Sequence, residues 1–207
     1  VEDWRWSTDS VPQALIWTPH VAPDGRARSL MIASGPADPM ETALLMFMQA
    51  ISSAEKRVWI ASPYFVPDDA VVQALQLAAL RGVDVRILIP EKADSRLVTL
   101  AAYAYFDDVK AGGARFYRYQ NGFLHGKFLL VDDHIATIGT ANFDNRSFRL
   151  NFEITAAIAD TAFAGEVHEM FEQDFANSRR MVLGELDAKP LWFRLAVRVA
   201  RLLAPLL

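Results

Sequence analysis

Between residues 122 and 153 the chain reads GFLHGKFLLVDDHIATIGTANFDNRSFRLNFE. His125, Lys127 and Asp132 stand there in the pattern H-x-K-x-x-x-x-D, and after six intervening residues comes Gly139-Thr140-Ala141-Asn142. At strand period, His125 and Lys127 project from one face. An imidazole beside an ammonium suits phosphodiester chemistry: one group attacks phosphorus or shuttles a proton, and the other neutralises the equatorial oxygens. Asp132 is an odd number of positions from His125, which in a regular strand turns it to the opposite face. It therefore reads as the structural or supporting member of the catalytic triplet rather than as a phosphate ligand. Thr140 and Asn142 are candidate donors to phosphate oxygens from the turn after the neighbouring strand. Glu153 is the local acid best placed to orient and charge-stabilise His125.

A His-x-Lys pair alone is a weak signal, because most such pairs are ordinary surface residues. The full string fixes seven positions at once between apolar strands, and that favours catalysis. Tyr64, between Pro63 and Phe65 at a strand end, is a candidate for lining the substrate entrance; the competing reading is a rigid Pro-bounded turn. Arg146, four residues past Asn142, is a candidate to reach a phosphate or equally to pair with an acid such as Asp144, and the structural reading is favoured. Met46, Phe47 and Met48 read as core.

Short apolar runs rich in β-formers predict strands at 30–34, 57–61, 83–89, 114–119, 126–132, 134–139 and 152–159. Helical periodicity covers 40–54, 69–80 (capped by Asp68 and ended at Gly82), 94–110 and 161–176. Strands alternating with helices predict α/β layers around a sheet.

With 52% hydrophobic and 22% charged residues, the 207-residue chain suits one globular domain with an appendage. It has no Cys, which excludes disulfides and thiolate metal sites. No apolar run is long enough to span a bilayer. The start, Val1-Glu2-Asp3-Trp4, has no apolar core, so no signal peptide is expected, and the absence of an initial Met suits a fragment or processed product. The net charge is -4, while residues 189–207 carry Lys189, Arg194, Arg198 and Arg201 and no acid, so the body before them stands at -8. Such a body offers no general basic field for nucleic acid. In the tail, Arg194, Arg198 and Arg201 recur at i, i+4 and i+7 among Trp, Phe, Leu and Val, the pattern of an interfacial helix on an anionic membrane. On that reading, removing 189–207 leaves the body folded; a helix docked on the domain would make removal unfold it.

The string around His125 resembles the HKD motif of the phospholipase D superfamily. Further segments resemble the bacterial cardiolipin synthases: Ser62-Pro63-Tyr64-Phe65-Val66-Pro67-Asp68, Ala79-Leu80-Arg81-Gly82-Val83-Asp84-Val85, Gly139 through Phe148, and Leu150-Asn151-Phe152-Glu153. The resemblance covers essentially the whole chain, and Asp3-Trp4 resembles the stretch after the first HKD motif of such enzymes. It implies an α/β phospholipase D-like domain, a mixed β-sheet flanked by helices on both faces, over 1–188, with 189–207 as a basic amphipathic helix. It also implies phosphatidyl transfer between two phosphatidylglycerol molecules through a phosphatidyl-histidine. No metal or cofactor is expected, with Lys127 and a counterpart supplying the positive charge.

The departure is that only one HKD motif is present, since His20, His134 and His168 have no Lys two positions on. The family builds one site from two motifs, so the second comes from an N-terminal half or from a second copy of the chain. The flanks resemble the C-terminal half, which makes His125 the acid/base and places the nucleophile on the other half; in a homodimer His125 serves as either. The expected partners are anionic phospholipid and a membrane surface, peripherally at the bacterial cytoplasmic membrane, and no nucleic acid. Two alternatives are a homodimeric phosphodiesterase or nuclease, for which a more basic face is expected, and a non-catalytic scaffolding half, for which loss of His125, Lys127 or Asn142 is expected.

Overall fold

In a computed structural model that describes residues 2–16, 18, 25 and 27–207, strands and helices alternate through most of the chain. His20 lies outside the described residues. The chain runs through α1 (Glu2–Thr8), β1 (Arg28–Ser34), α2 (Thr42–Ser53), β2 (Arg57–Ala61) and the short β3 (Phe65–Val66). Next come α3 (Asp69–Leu80), β4 (Asp84–Pro90), α4 (Arg96–Ala111) and β5 (Arg115–Tyr119). Three strands follow, β6 (Phe128–Val131), β7 (Ile135–Gly139) and the short β8 (Phe143–Asp144), then α5 (Asn145–Arg149). The remainder is β9 (Glu153–Ala159), α6 (Thr161–Ala176), β10 (Ser178–Arg180), α7 (Leu191–Arg201) and a 3₁₀ turn, Ala204–Leu206.

Local chemistry explains the boundaries. Asp68 accepts from the Ala70 N–H at 2.8 Å and starts α3, and Asp160 accepts from the Phe163 N–H at 2.8 Å and starts α6. Gly82, just past α3, has φ +91, which glycine adopts without a Cβ penalty. One mixed sheet has the order β1-β9-β7-β6-β2-β4-β5-β10. Strands β2, β4 and β5 are mutually parallel, as crossovers through α3 and α4 require. The other ladders of this sheet are antiparallel.

Alternation along β2 divides the core. Val58 and Ile60 face the layer of α2, α3 and α4, whereas Trp59 and Ala61 face α6 through Phe171 and Phe175. Helices thus cover both faces of the mixed sheet, as the sequence leads one to expect. Burying each of these large apolar side chains contributes ~1.5–3 kcal/mol.

The tail packs against the body along one side of its helix. Val197, Ala200 and Ala204 are buried, and Phe193 packs edge-on against Tyr103 of α4 at 5.2 Å between ring centres. Deleting residues 189–207 would expose one side of α4 and core atoms. No helix among the described residues is long and apolar enough to cross a membrane.

Candidate active site

Antiparallel pairing assembles the site. The start of β6 meets the end of β7 (Phe128 opposite Ile138), and the end of β7 meets the start of β9 (Gly139 opposite Thr155). The segments just outside these ends, 125–127, 140–142 and 151–153, therefore gather at one edge of the sheet. Gly139 makes the close approach possible, because a Cβ there would sit 2.5 Å from Ile154 O and 2.7 Å from Thr155 Oγ1. Its N–H donates to Lys127 O at 3.3 Å. The result is an open cleft of about 620 Å³ lined by His125, Lys127, Thr140, Asn142 and Glu153, with Tyr64 and Asn151.

His125 and Lys127 lie in an extended segment ahead of β6, not within the strand. The exposed His125 ring stacks on Phe123, 5.3 Å between centres and 13° between planes. Lys127 is half-buried, and its ammonium donates to His125 O at 2.9 Å. Burial pushes the Lys127 ammonium below the ordinary lysine range, and the nearby charges of Glu153, Asp144 and Asp94 partly restore it.

Glu153 is buried in the cleft, but its carboxylate makes no hydrogen bond with the His125 ring. Its Oε1 instead accepts from Asn151 Nδ2 at 3.1 Å, while Asn151 Oδ1 accepts from Arg146 Nε at 3.2 Å. The arginine only donates, so it settles which end of the Asn151 amide faces the acid. The direct Glu153–His125 contact expected from the sequence is thus replaced by an Arg146–Asn151–Glu153 chain. Arg146 pairs with Asn151 and not with Asp144, whose carboxylate caps α5 by accepting from the Ser147 N–H at 2.7 Å.

Asp132 does not line the cleft. It occupies the β6–β7 turn with φ +53, and its buried carboxylate accepts from the backbone N–H groups of Glu55, Lys56 and Arg57, the last two at 2.7 and 2.9 Å. Burial alone would raise its pKa, but the three donors outweigh that and hold it below the usual aspartate range. The residue clasps the turn to the start of β2.

Thr140 Oγ1 accepts from the Ile154 N–H at 2.9 Å. Asn142 also lines the cleft, and its Oδ1 is buried without a partner. Asp144 itself is pushed up, first by burial and further by the charge of Glu153, while Ser147 and Asn142 oppose the shift. Tyr64 donates to Asp94 Oδ1 at 2.7 Å; burial and then that bond push the phenol up to about 12. Ser62, whose hydroxyl accepts from the Phe143 N–H at 3.0 Å, ties the Tyr64 loop to the motif. Sequence reasoning assigned no role to Phe123, Asn151 or Ser62. Only Ser62 and Asn151 carried a signal, as parts of the segments with family resemblance.

A family model described as "Cardiolipin synthase, PLD-like domain" matches residues 47–175. Proteins named Cardiolipin synthase A from Pseudomonas putida and Pseudomonas aeruginosa are 48% and 50% identical over 206 residues, and each match covers 100% of this chain. The chain spans 42% of the length of either relative. Among solved structures, a phosphatidylserine synthase from Haemophilus influenzae matches with TM-score 0.69 and 16% identity, over 90% of this chain and 49% of the other. Nuc, a phospholipase D family member from Salmonella typhimurium, matches with TM-score 0.65 and 23% identity, over 75% of this chain and 99% of the other. At those identities the two structures show the fold alone. The family model and the Pseudomonas relatives show more: the chain belongs to the cardiolipin synthase family of phospholipase D-like proteins.

Proposed function

We propose that this chain is the second catalytic half of a phosphatidyl transferase that makes cardiolipin from two phosphatidylglycerol molecules, peripherally at the bacterial cytoplasmic membrane. The observation that carries the reading is the cleft, where one His, one Lys and one buried Glu converge from adjacent strand ends. A histidine of the partner half attacks phosphorus, forming an N–P bond as the P–O bond to glycerol breaks, and His125 gives the departing oxygen its proton. His125 then takes the proton of the second phosphatidylglycerol hydroxyl as that oxygen attacks phosphorus and the N–P bond breaks. Lys127 neutralises the equatorial oxygens throughout, and Thr140 and Asn142 hold the phosphate. Glu153 keeps the local charge that favours Lys127 as an ammonium, and it offers the imidazolium of His125 a counter-charge. Tyr64 borders the lipid path. Phospholipid is favoured over nucleic acid because the body before the tail is acidic.

A second reading has another copy of this chain supply the other motif, since the chain carries a single H-x-K-x-x-x-x-D string. Glycerol release from phosphatidylglycerol tests both. The proposal expects the purified monomer to be nearly inactive and activity to appear when the N-terminal half is added. Activity that instead rises with self-association selects the homodimer, and a monomer as active as the two-motif enzyme contradicts both.

A further inference from the structure

Helix α7 meets the fold along one stripe and leaves a second apolar stripe bare. Val197 and Ala200 are 1% and 2% exposed on the side facing α4. On the opposite side Leu191, Leu195 and Leu202 are 80%, 62% and 79% exposed, flanked by exposed Trp192 and Val199. Leu191, Leu195 and Leu202 share one face at helical period, with Trp192 and Val199 on its border. Contiguous apolar surface of this kind marks a place where something other than water is met.

The charges beside it indicate what. Arg194 is taken up by Asp187 at 3.2 Å, and Arg201 lies over the Tyr105 ring and 3.9 Å from Asp108. Arg198 is exposed and makes no ion pair among the described residues, and it borders the bare stripe one turn from both Leu195 and Leu202. An uncompensated cation next to leucines, on a segment without a single acid, complements an anionic headgroup over an acyl layer. A body at -8 is repelled by the same surface, so the tail also sets which side turns toward it.

We infer that the outer face of α7 is an interfacial lipid-binding surface, with Leu191, Leu195 and Leu202 seated at the acyl boundary of an anionic leaflet and Arg198 at its phosphates. The helix is fixed to the site as well as to α4. Asn145, one residue past the motif's Asp144, donates Nδ2 to Ala204 O at 3.0 Å and to Val66 O at 3.1 Å, and the Arg146 N–H donates to Leu207 O at 2.9 Å. Lipid docking through α7 therefore holds the cleft at a set height above the leaflet. This surface goes beyond the transfer chemistry and does not depend on it.

Co-sedimentation of the intact chain with vesicles of phosphatidylcholine alone, or mixed with phosphatidylglycerol, tests the inference. Binding to the mixed vesicles is expected, weakening as salt rises. Leu195→Glu with Leu202→Glu should abolish it, and Arg198→Ala should weaken it about fivefold, with unchanged circular dichroism in each case. His125→Ala should bind like the parent chain, which separates docking from catalysis. Vesicle binding by the folded double-Glu variant equal to that of the parent overturns the inference. So does an intact chain that ignores vesicles but forms a dimer that Leu195→Glu dissociates, which would assign the face to protein. Should the double-Glu variant fold poorly, Arg198→Ala decides alone: unchanged affinity and salt dependence overturn the inference.

Discussion

Asn151 donates its side-chain amide to Glu153 Oε1 at 3.1 Å, and its own orientation is dictated by Arg146 on its other end. The cleft acid is therefore positioned by a neighbour two residues away rather than by the histidine. Asn151→Ala should lower kcat by roughly 10–100-fold through misplacement of Glu153, with the fold intact by circular dichroism. Arg146 acts here only through Asn151, so Arg146→Ala added to Asn151→Ala should cost little more than Asn151→Ala. Full additivity of the two in steady-state kinetics would break the chain into unrelated parts.

Lys127 must be an ammonium to neutralise phosphate oxygens, and burial moves its pKa below the ordinary 10.5. Turnover should consequently fall on the alkaline side before an ordinary lysine titrates. Glu153 acts in the opposite direction on Lys127, so Glu153→Gln should shift that alkaline limb toward lower pH. A limb that stays in place in the kcat–pH profile of Glu153→Gln would show that the two groups do not interact in the working enzyme. Lys127→Ala should cost roughly 10²–10³-fold in kcat.

Asp132 should act on stability and not on chemistry. Asp132→Asn loses charge-assisted acceptance from three backbone donors and should destabilise by ~1–3 kcal/mol, while the folded fraction keeps its turnover. The aspartate pKa is lower folded than unfolded, so its contribution is present above the unfolded value and is lost as pH falls through the folded one. Urea midpoints of the two proteins should differ at neutral pH and converge in acid. Normal stability with lost activity would move Asp132 into the chemistry.

Gly139→Ala places a methyl against Ile154 O and Thr155 Oγ1. Opening the β7–β9 ladder there should cost ~1–3 kcal/mol and should displace Thr140 and Asn142 from the cleft. Thermal unfolding and kcat should fall together; a stable but inactive variant would mean that the site moves without the ladder.

Much of this was legible from local patterns. Helix α6 runs over the residues that periodicity assigns and Asp68 caps α3, whereas alternation does not relate Asp132 to His125, because the first sits in a turn and the second ahead of the strand. Other features depend on partners distant in sequence. The two-residue ladder of Phe65–Val66 with Phe143–Asp144 is too short to leave a periodic signal. The Asn151–Glu153 bond hides in alternate residues that sequence treats as equivalent polar positions, and the Phe123–His125 stack lies in a loop. In α7 the periodicity reveals an amphipathic helix with apolar residues on two sides, yet only packing against Tyr103 on α4 tells which apolar stripe is buried and which is bare.

On the proposed function, His125 carries proton transfer in cardiolipin synthesis. This is tested most directly by mass spectrometry of lipids from a cardiolipin-free bacterium expressing this chain together with its N-terminal half, with His125 intact or changed to Ala. Cardiolipin is expected with the parent pair, and a loss of roughly 10²–10⁴-fold with His125→Ala at equal protein level. Cardiolipin at the parent level in the His125→Ala strain would contradict it.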